Sequence, residues 1–151
     1  MLLALGGCMT TMDQPRRAVD SEAALDAYIQ LGLGYLQEGE TERAKAPLSE
    51  ALKIDPRSSS ANIALALVFQ QEGEYDSAEK HFRAALASEP DNPRVLNNFG
   101  AFLLERERYD ESLQYLQRAA ENRLYGERSR VFENLGLAYL RKGNREAAKQ
   151  H

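Results

Sequence analysis

The chain has no tryptophan and only one cysteine and five prolines in 151 residues, and these scarcities narrow its chemistry. A lone thiol rules out an internal disulfide and any cysteine-pair metal or redox motif. Valine occurs only at Val19, Val68, Val95 and Val131, so strand signals are scarce and a β-sheet is not expected. After the first few residues no apolar run approaches the length of about 18 needed for a membrane-spanning helix. No basic block exists either. The 19 Lys and Arg residues are interspersed with 23 Asp and Glu, for a net charge of -4, so nucleic acid is not an expected partner.

The motifs G-x-S-x-G, H-E-x-x-H and G-x-x-x-x-G-K are also missing, and His81 and His151 are widely separated. Carboxylates such as Glu38, Glu40 and Glu42 alternate with basic residues and read as a solvated, ion-paired face. The sequence therefore predicts no catalytic residues, no cofactor, no metal and no small-molecule substrate: a protein that is not an enzyme.

What the chain has in abundance is Ala, Leu, Glu and Arg, all good helix formers, and they recur with a fixed period. Leu31-Gly32-x-x-Tyr35, Leu65-Ala66-x-x-Phe69, Phe99-Gly100-x-x-Leu103 and Leu135-Gly136-x-x-Tyr139 share one pattern at near-constant spacing. A small residue follows at Ala44, Ala78, Ser112 and Ala148, and large Leu48, Phe82 and Leu116 lie just beyond. A period of about 34 residues is that of the tetratricopeptide repeat (TPR), a pair of antiparallel helices whose small residues let the backbones approach. The fold class is therefore all-α: a TPR solenoid of antiparallel helix pairs, about four repeats with the last incomplete. The units run 25–58, 59–92, 93–128 and 129–151 within a TPR domain of 21–151.

Local signals agree with that period. Gly39, Gly73 and Gly143 fall where units one, two and four should turn, and Asn92-Pro93 pairs a helix cap with a residue suited to a first helical position. The third unit departs from pattern, with Glu107 in place of the turn glycine and a longer exit through 122–129. Glycine inside a helix costs about 1 kcal/mol relative to alanine, so Gly32, Gly100 and Gly136 at one phase imply steric need, and Gly32→Val should lower the melting temperature. The fourth unit stops soon after its turn, which leaves an apolar side uncovered and suggests that the natural chain continues.

First helices line the concave face of such a solenoid. By phase, the partner groove should comprise Ile29, Leu33, Leu36, Ile63, Leu67, Asn97 and Leu104, with Tyr28, Leu31 and Tyr35 as the packing stripe. An apolar groove needs an owner, either a partner segment or the residues before Leu25, with Val19, Ala23 and Ala24, folded back over it. Ile29 and Leu33 stand where acidic-tail clamps carry Lys and Asn, which argues against a chaperone-tail site.

At the other extreme of the chain, Met-Leu-Leu-Ala-Leu-Gly-Gly-Cys sets an apolar run directly before small residues and the lone Cys8. Leu5, Gly7 and Cys8 resemble a lipobox, with residues 1–8 as a truncated lipoprotein signal peptide, Cys8 the lipidation site and 9–20 a tether. The alternative is an apolar terminus with an inert thiol. Met9, rather than Asp, after the cysteine favours export to the outer membrane.

Lipobox, tether, repeats and the segment Arg130-Val131-Phe132-Glu133-Asn134-Leu135-Gly136 together resemble the type IV pilus biogenesis/stability lipoproteins of the PilF/PilW kind. The resemblance implies a pilotin. Such a protein binds secretin subunits, directs them to the outer membrane of a Gram-negative cell through its own lipid, and supports their multimerisation. It also implies further repeats. The alternative within the same class is an envelope TPR lipoprotein that serves another assembly, and the alternative from a different class is a non-catalytic fragment of a larger enzyme.

Overall fold

In the computed structural model, residues 13–149 are described, and all regular structure among them is helical. Seven helices follow in order: α1 (Asp13–Gln37), α2 (Thr41–Ile54), α3 (Ser59–Gln71), α4 (Tyr75–Ser88), α5 (Pro93–Glu105), α6 (Tyr109–Glu121) and α7 (Arg128–Lys149). They pair as α1 with α2, α3 with α4 and α5 with α6, and each pair stacks on the next. The odd-numbered helices form one layer and the even-numbered helices the other, as expected for tetratricopeptide repeats.

Two of the three helix-interior glycines work as their phase suggests, while Gly136, expected to be sterically required as well, stands in open space because among the described residues no second helix packs against it there. A Cβ on Gly32 would stand 2.4 Å from Leu48 Cγ, and one on Gly100 would stand 2.7 Å from Leu116 Cγ. The Ser112 hydroxyl donates to the Gly100 carbonyl at 2.7 Å, which fixes the α5–α6 approach with a hydrogen bond as well as a steric fit. Between pairs, Phe82, Phe99 and Phe102 are fully enclosed, with ring centroids 5.2 to 6.2 Å apart, and form the centre of the largest cluster.

Turns within the three helix pairs all use left-handed backbone. Gly39 and Gly73 take φ of 77° and 78°, and Glu107 takes 58° in the same place. The third turn is thus the same turn without its glycine, and Glu107 bears the steric cost that a Cβ meets there. The pairs themselves are joined by short loops in which Ser58 caps α3 by accepting from Ala61 N–H and Asn92 caps α5 by accepting from Arg94 N–H. The α6–α7 loop, 122–127, is the longer one foreseen in the sequence.

Two expectations are corrected. Residues from Asp13 onward, read as part of a 9–20 tether, are the first turns of α1; Pro15 is tolerated near a helix N-terminus, and Ser-Glu-Ala-Ala-Leu offers nothing to stop the helix. Val19 is therefore 65% exposed on a continuous helix, and Val19, Ala23 and Ala24 do not fold back over any groove. At the far end, α7 runs straight through Gly143, where a turn was expected. The segment Asn-Arg-Glu-Ala-Ala-Lys beyond it carries no large apolar side chain, so folding back would gain too little to offset nucleating another helix. Cys8, the signal-peptide reading of 1–8 and the first part of the tether lie outside the described residues.

Candidate protein-binding face

The concave layer of α1, α3, α5 and α7 carries two depressions. One, of about 350 Å³, is lined by Leu36, Leu67, Gln70, Gln71 and Glu105. The other, of about 300 Å³, lies between α5 and α7, with Ala101, Leu104, Leu137, Asn134 and Arg141 among its lining. Gln70 donates from Nε2 to the Glu105 carboxylate, which borders both hollows; the first is mainly apolar, and the second mixes the apolar Ala101, Leu104 and Leu137 with Glu105, Glu107, Asn134 and Arg141. Side chains with this character suit an amphipathic or extended protein segment, whose apolar residues would fill the hollows.

Against the seven positions expected from phase, Leu36, Leu67 and Leu104 line these hollows, and Leu33 is half-buried beside them against the α1–α3 cluster. Ile29, Ile63 and Asn97 do not. Ile29 is 6% exposed and packs on Ala51 and Ala61, Ile63 belongs to the phenylalanine cluster, and Asn97 accepts a hydrogen bond from Asn134 Nδ2 at 3.0 Å. These three share one phase, and that phase faces the seam where neighbouring repeats meet, a gap narrow enough for one branched or amide side chain to fill. The open positions lie one or two turns further along each first helix, Leu67 one turn beyond Ile63 and Leu36 and Leu104 two turns beyond Ile29 and Asn97.

The packing stripe of unit one is also corrected. Tyr28 and Leu31 are 36% and 48% exposed, whereas Leu65 and Phe99, at the phase of Leu31, are buried. Their phase is right, but among the described residues no helix lies over that side of α1. Sequence reasoning also missed Glu107 and Tyr109, which close the second hollow from the α5–α6 turn. Both recur at the repeat period, Glu107 with Gly39 and Gly73 and Tyr109 with Tyr75, but lie outside the first helices whose phase traces the face.

Charged side chains staple the stack. Lys45 Nζ lies 2.8 Å from Glu72 Oε2 and joins α2 to the end of α3, while Arg108 lies 2.6 Å from Glu79 and 2.7 Å from Glu111. Burial pushes the Glu72 and Glu79 carboxyls up, but hydrogen bonds from Lys45 and Thr41 to the first and from Arg108 and Arg83 to the second prevail, and both sit below the ordinary range. Glu111 is held low by Arg108. His81 accepts no such help: burial, with Lys80 nearby, lowers its pKa, and its ring stacks on Phe69 at 5.5 Å while Nδ1 faces Asn62 Oδ1 at 2.9 Å. Tyr75, exposed rather than packed, carries the Arg106 guanidinium 3.9 Å above its ring. Among the described residues no group of His, Cys, Asp and Glu side chains is placed to hold a metal ion.

Helix pairs of this geometry, stacked with small-on-large packing and a concave face, define a protein-interaction scaffold. The chain belongs to the tetratricopeptide repeat family, whose models match residues 35–97, 69–124 and 103–150. Within that family it is similar to the type IV pilus assembly protein PilF of Pseudomonas aeruginosa, with 54% identity over 154 aligned residues that cover 99% of this chain and 61% of PilF. The solved structure of Pseudomonas aeruginosa PilF superposes with a TM-score of 0.81 at 56% identity, over 87% of this chain and 59% of that one. PilW, described as a widely conserved type IV pilus biogenesis factor, matches with a TM-score of 0.76 at 30% identity, over 80% of this chain and 55% of PilW. The chain thus spans about three fifths of the length of these relatives.

Proposed function

We propose that this chain is a non-catalytic TPR scaffold of type IV pilus assembly, a pilotin that holds a secretin subunit on its concave face and is attached to the outer membrane through a lipid on Cys8. The observation that carries the reading is the 54% identity to PilF across 99% of the chain. The two hollows at Leu36–Leu67 and Leu104–Leu137 support it, because a partner segment laid across α1, α3, α5 and α7 would bury apolar side chains in both. The lipobox-like Leu5, Gly7 and Cys8 support the anchor.

Affinity capture from envelope membranes tests the partner. Recovery of a secretin by the unaltered chain and its loss in Leu67→Glu, with helix content unchanged by circular dichroism, is the expected result. Recovery of a different assembly by the same face would replace the pilotin reading with that of another envelope adaptor. Metabolic labelling with palmitate tests the anchor: label present in the unaltered chain and absent in Cys8→Ser is expected, and an unlabelled chain would reject it.

A further inference from the structure

The two long edges of the solenoid differ in charge. The edge formed by the turns inside each pair carries Glu38, Glu40 and Glu42 in the first turn and Glu72, Glu74 and Asp76 in the second, with no Lys or Arg among residues 37–42 or 71–76; the third turn keeps an acidic excess, with Glu105, Glu107, Asp110 and Glu111 against Arg106 and Arg108. The opposite edge, made of the loops between pairs, has no such excess, and its last loop, 122–127, is flanked by Arg118, Arg123, Arg128 and Arg130. Glu127 pairs with Arg130, Asp91 pairs with Arg118, and the half-buried Arg128 is engaged by the Ala120 carbonyl and the Phe132 ring, which leaves the exposed Arg123 as the cation of that loop without a carboxylate partner among the described residues. Next to Arg123 stands Leu124, 96% exposed, the most exposed large apolar side chain described. A leucine turned wholly into water beside arginines gains nothing from the fold that holds it.

Chain direction ties this edge to the N-terminus. α1 runs from Asp13 toward the first turn and α2 returns, so the start of α1 lies on the loop edge, with the α2–α3, α4–α5 and α6–α7 loops. With 25 residues against the 14 of α2, α1 overshoots its partner by about 16 Å at 1.5 Å per residue. A flat surface meeting the start of α1 would therefore pass clear of the α2–α3 loop beside it. If the solenoid tilts, the same surface meets the loop edge again at its far end, where the longer α6–α7 loop presents Leu124.

We infer that the loop edge is the face turned toward the bilayer, with Leu124 and its arginines resting on an anionic phospholipid surface and the acidic turn edge directed away from it. This rests on the membrane attachment proposed above. Charge complementarity selects the occupant: phosphates attract the exposed Arg123 and, at the rim of the loop, Arg130 and repel the turn-edge carboxylates, and the apolar Leu124 side chain enters the headgroup layer. Alone, one leucine and a few arginines bind such a surface weakly. A tether holds them at high effective concentration, so weak contacts suffice to set orientation. The concave face would then stand across the bilayer plane, open to a partner arriving along the membrane.

The absence of native tryptophan allows a direct test. Single-tryptophan variants Leu124→Trp and Glu74→Trp would be coupled through the Cys8 thiol, the chain's one cysteine, to maleimide lipid in vesicles containing brominated phospholipid and phosphatidylglycerol. Quenching at least about twofold stronger for Leu124→Trp than for Glu74→Trp is expected, because the loop reaches the acyl boundary. It should fall when phosphatidylcholine replaces phosphatidylglycerol, and when Arg123→Glu is added. Equal quenching at both positions, or quenching indifferent to lipid charge and to Arg123→Glu, would overturn the orientation. Loss of Leu124→Trp exposure without any quenching would overturn it too, in favour of a second copy or a protein on the loop. Chemical coupling makes the result independent of palmitate labelling, so the lipid anchor and the orientation fail separately.

Discussion

Leu31 and Leu65 occupy the same place in successive repeats, yet one is 48% exposed and the other 4%. The same contrast recurs at the other end of the stack, where Gly100 is pressed by Leu116 and Gly136 has no atom within 4 Å of where its Cβ would stand. Interior units two and three bury what the pattern says they should bury. The outer face of unit one and the face of α7 show the same residue types to solvent, including Tyr28, Phe132, Tyr139 and Leu140. In a one-dimensional stack a residue's burial is set by whether a neighbouring repeat lies over it, and its type only records that one fits there.

The sharpest way to break this comparison is to truncate matched large side chains. Phe82→Ala, in the centre of the interior cluster, should cost about 3–5 kcal/mol, whereas Leu31→Ala at the uncovered face should cost under about 1 kcal/mol. Urea unfolding followed by circular dichroism would read both, and equal costs would mean that the outer face of unit one is covered in solution. Next in size is glycine. Gly100→Val should cost on the order of 2–3 kcal/mol by forcing Leu116 aside, while Gly136→Ala, with open space around it, should gain up to about 1 kcal/mol from helix propensity. A loss at Gly136 would show that a helix seats there.

A smaller effect compares the turns. Glu107→Gly should stabilise the chain by up to about 1 kcal/mol, because it relieves the left-handed backbone that Gly39 and Gly73 adopt freely; Gly39→Glu should do the reverse. Thermal melting of the two variants would show opposite shifts. Smallest is the response to acid. Glu72, Glu79 and Glu111 have folded pKa values below the ordinary carboxylate range, so the stability they supply is full above about pH 4.3 and is lost as pH falls through their folded values. Each contributes under about 1 kcal/mol, since Arg108 and Glu111 in particular remain partly solvated. Urea midpoints measured from pH 7 to pH 3 should decline more steeply in the unaltered chain than in an Arg108→Leu variant.

Much of the concave face was legible in the sequence because it obeys the helical period. Leu36, Leu67 and Leu104, placed on the face by phase, line its hollows. Ile29, Ile63 and Asn97 were misplaced because they are only one or two turns from the open positions on the same helices. The width of the seam between repeats, which phase does not encode, decides which side of that line a side chain falls. The exposure of Tyr28 and Leu31 was hidden for a related reason: the repeat pattern states that a partner is wanted and says nothing of whether one is present.

The sequence alone determined the period, the all-helical class, the glycine-on-leucine contacts at Gly32 and Gly100, the capped start at Asn92-Pro93 and the long exit of unit three, because each depends on residues within one repeat. Tertiary structure decided the continuity of α7 through Gly143, the left-handed Glu107, the division of the concave face into two hollows and the placing of Leu124 and the acidic turns on opposite edges. Those features depend on which repeats lie beside one another and in what direction the chain runs between them. Local propensity is blind to both.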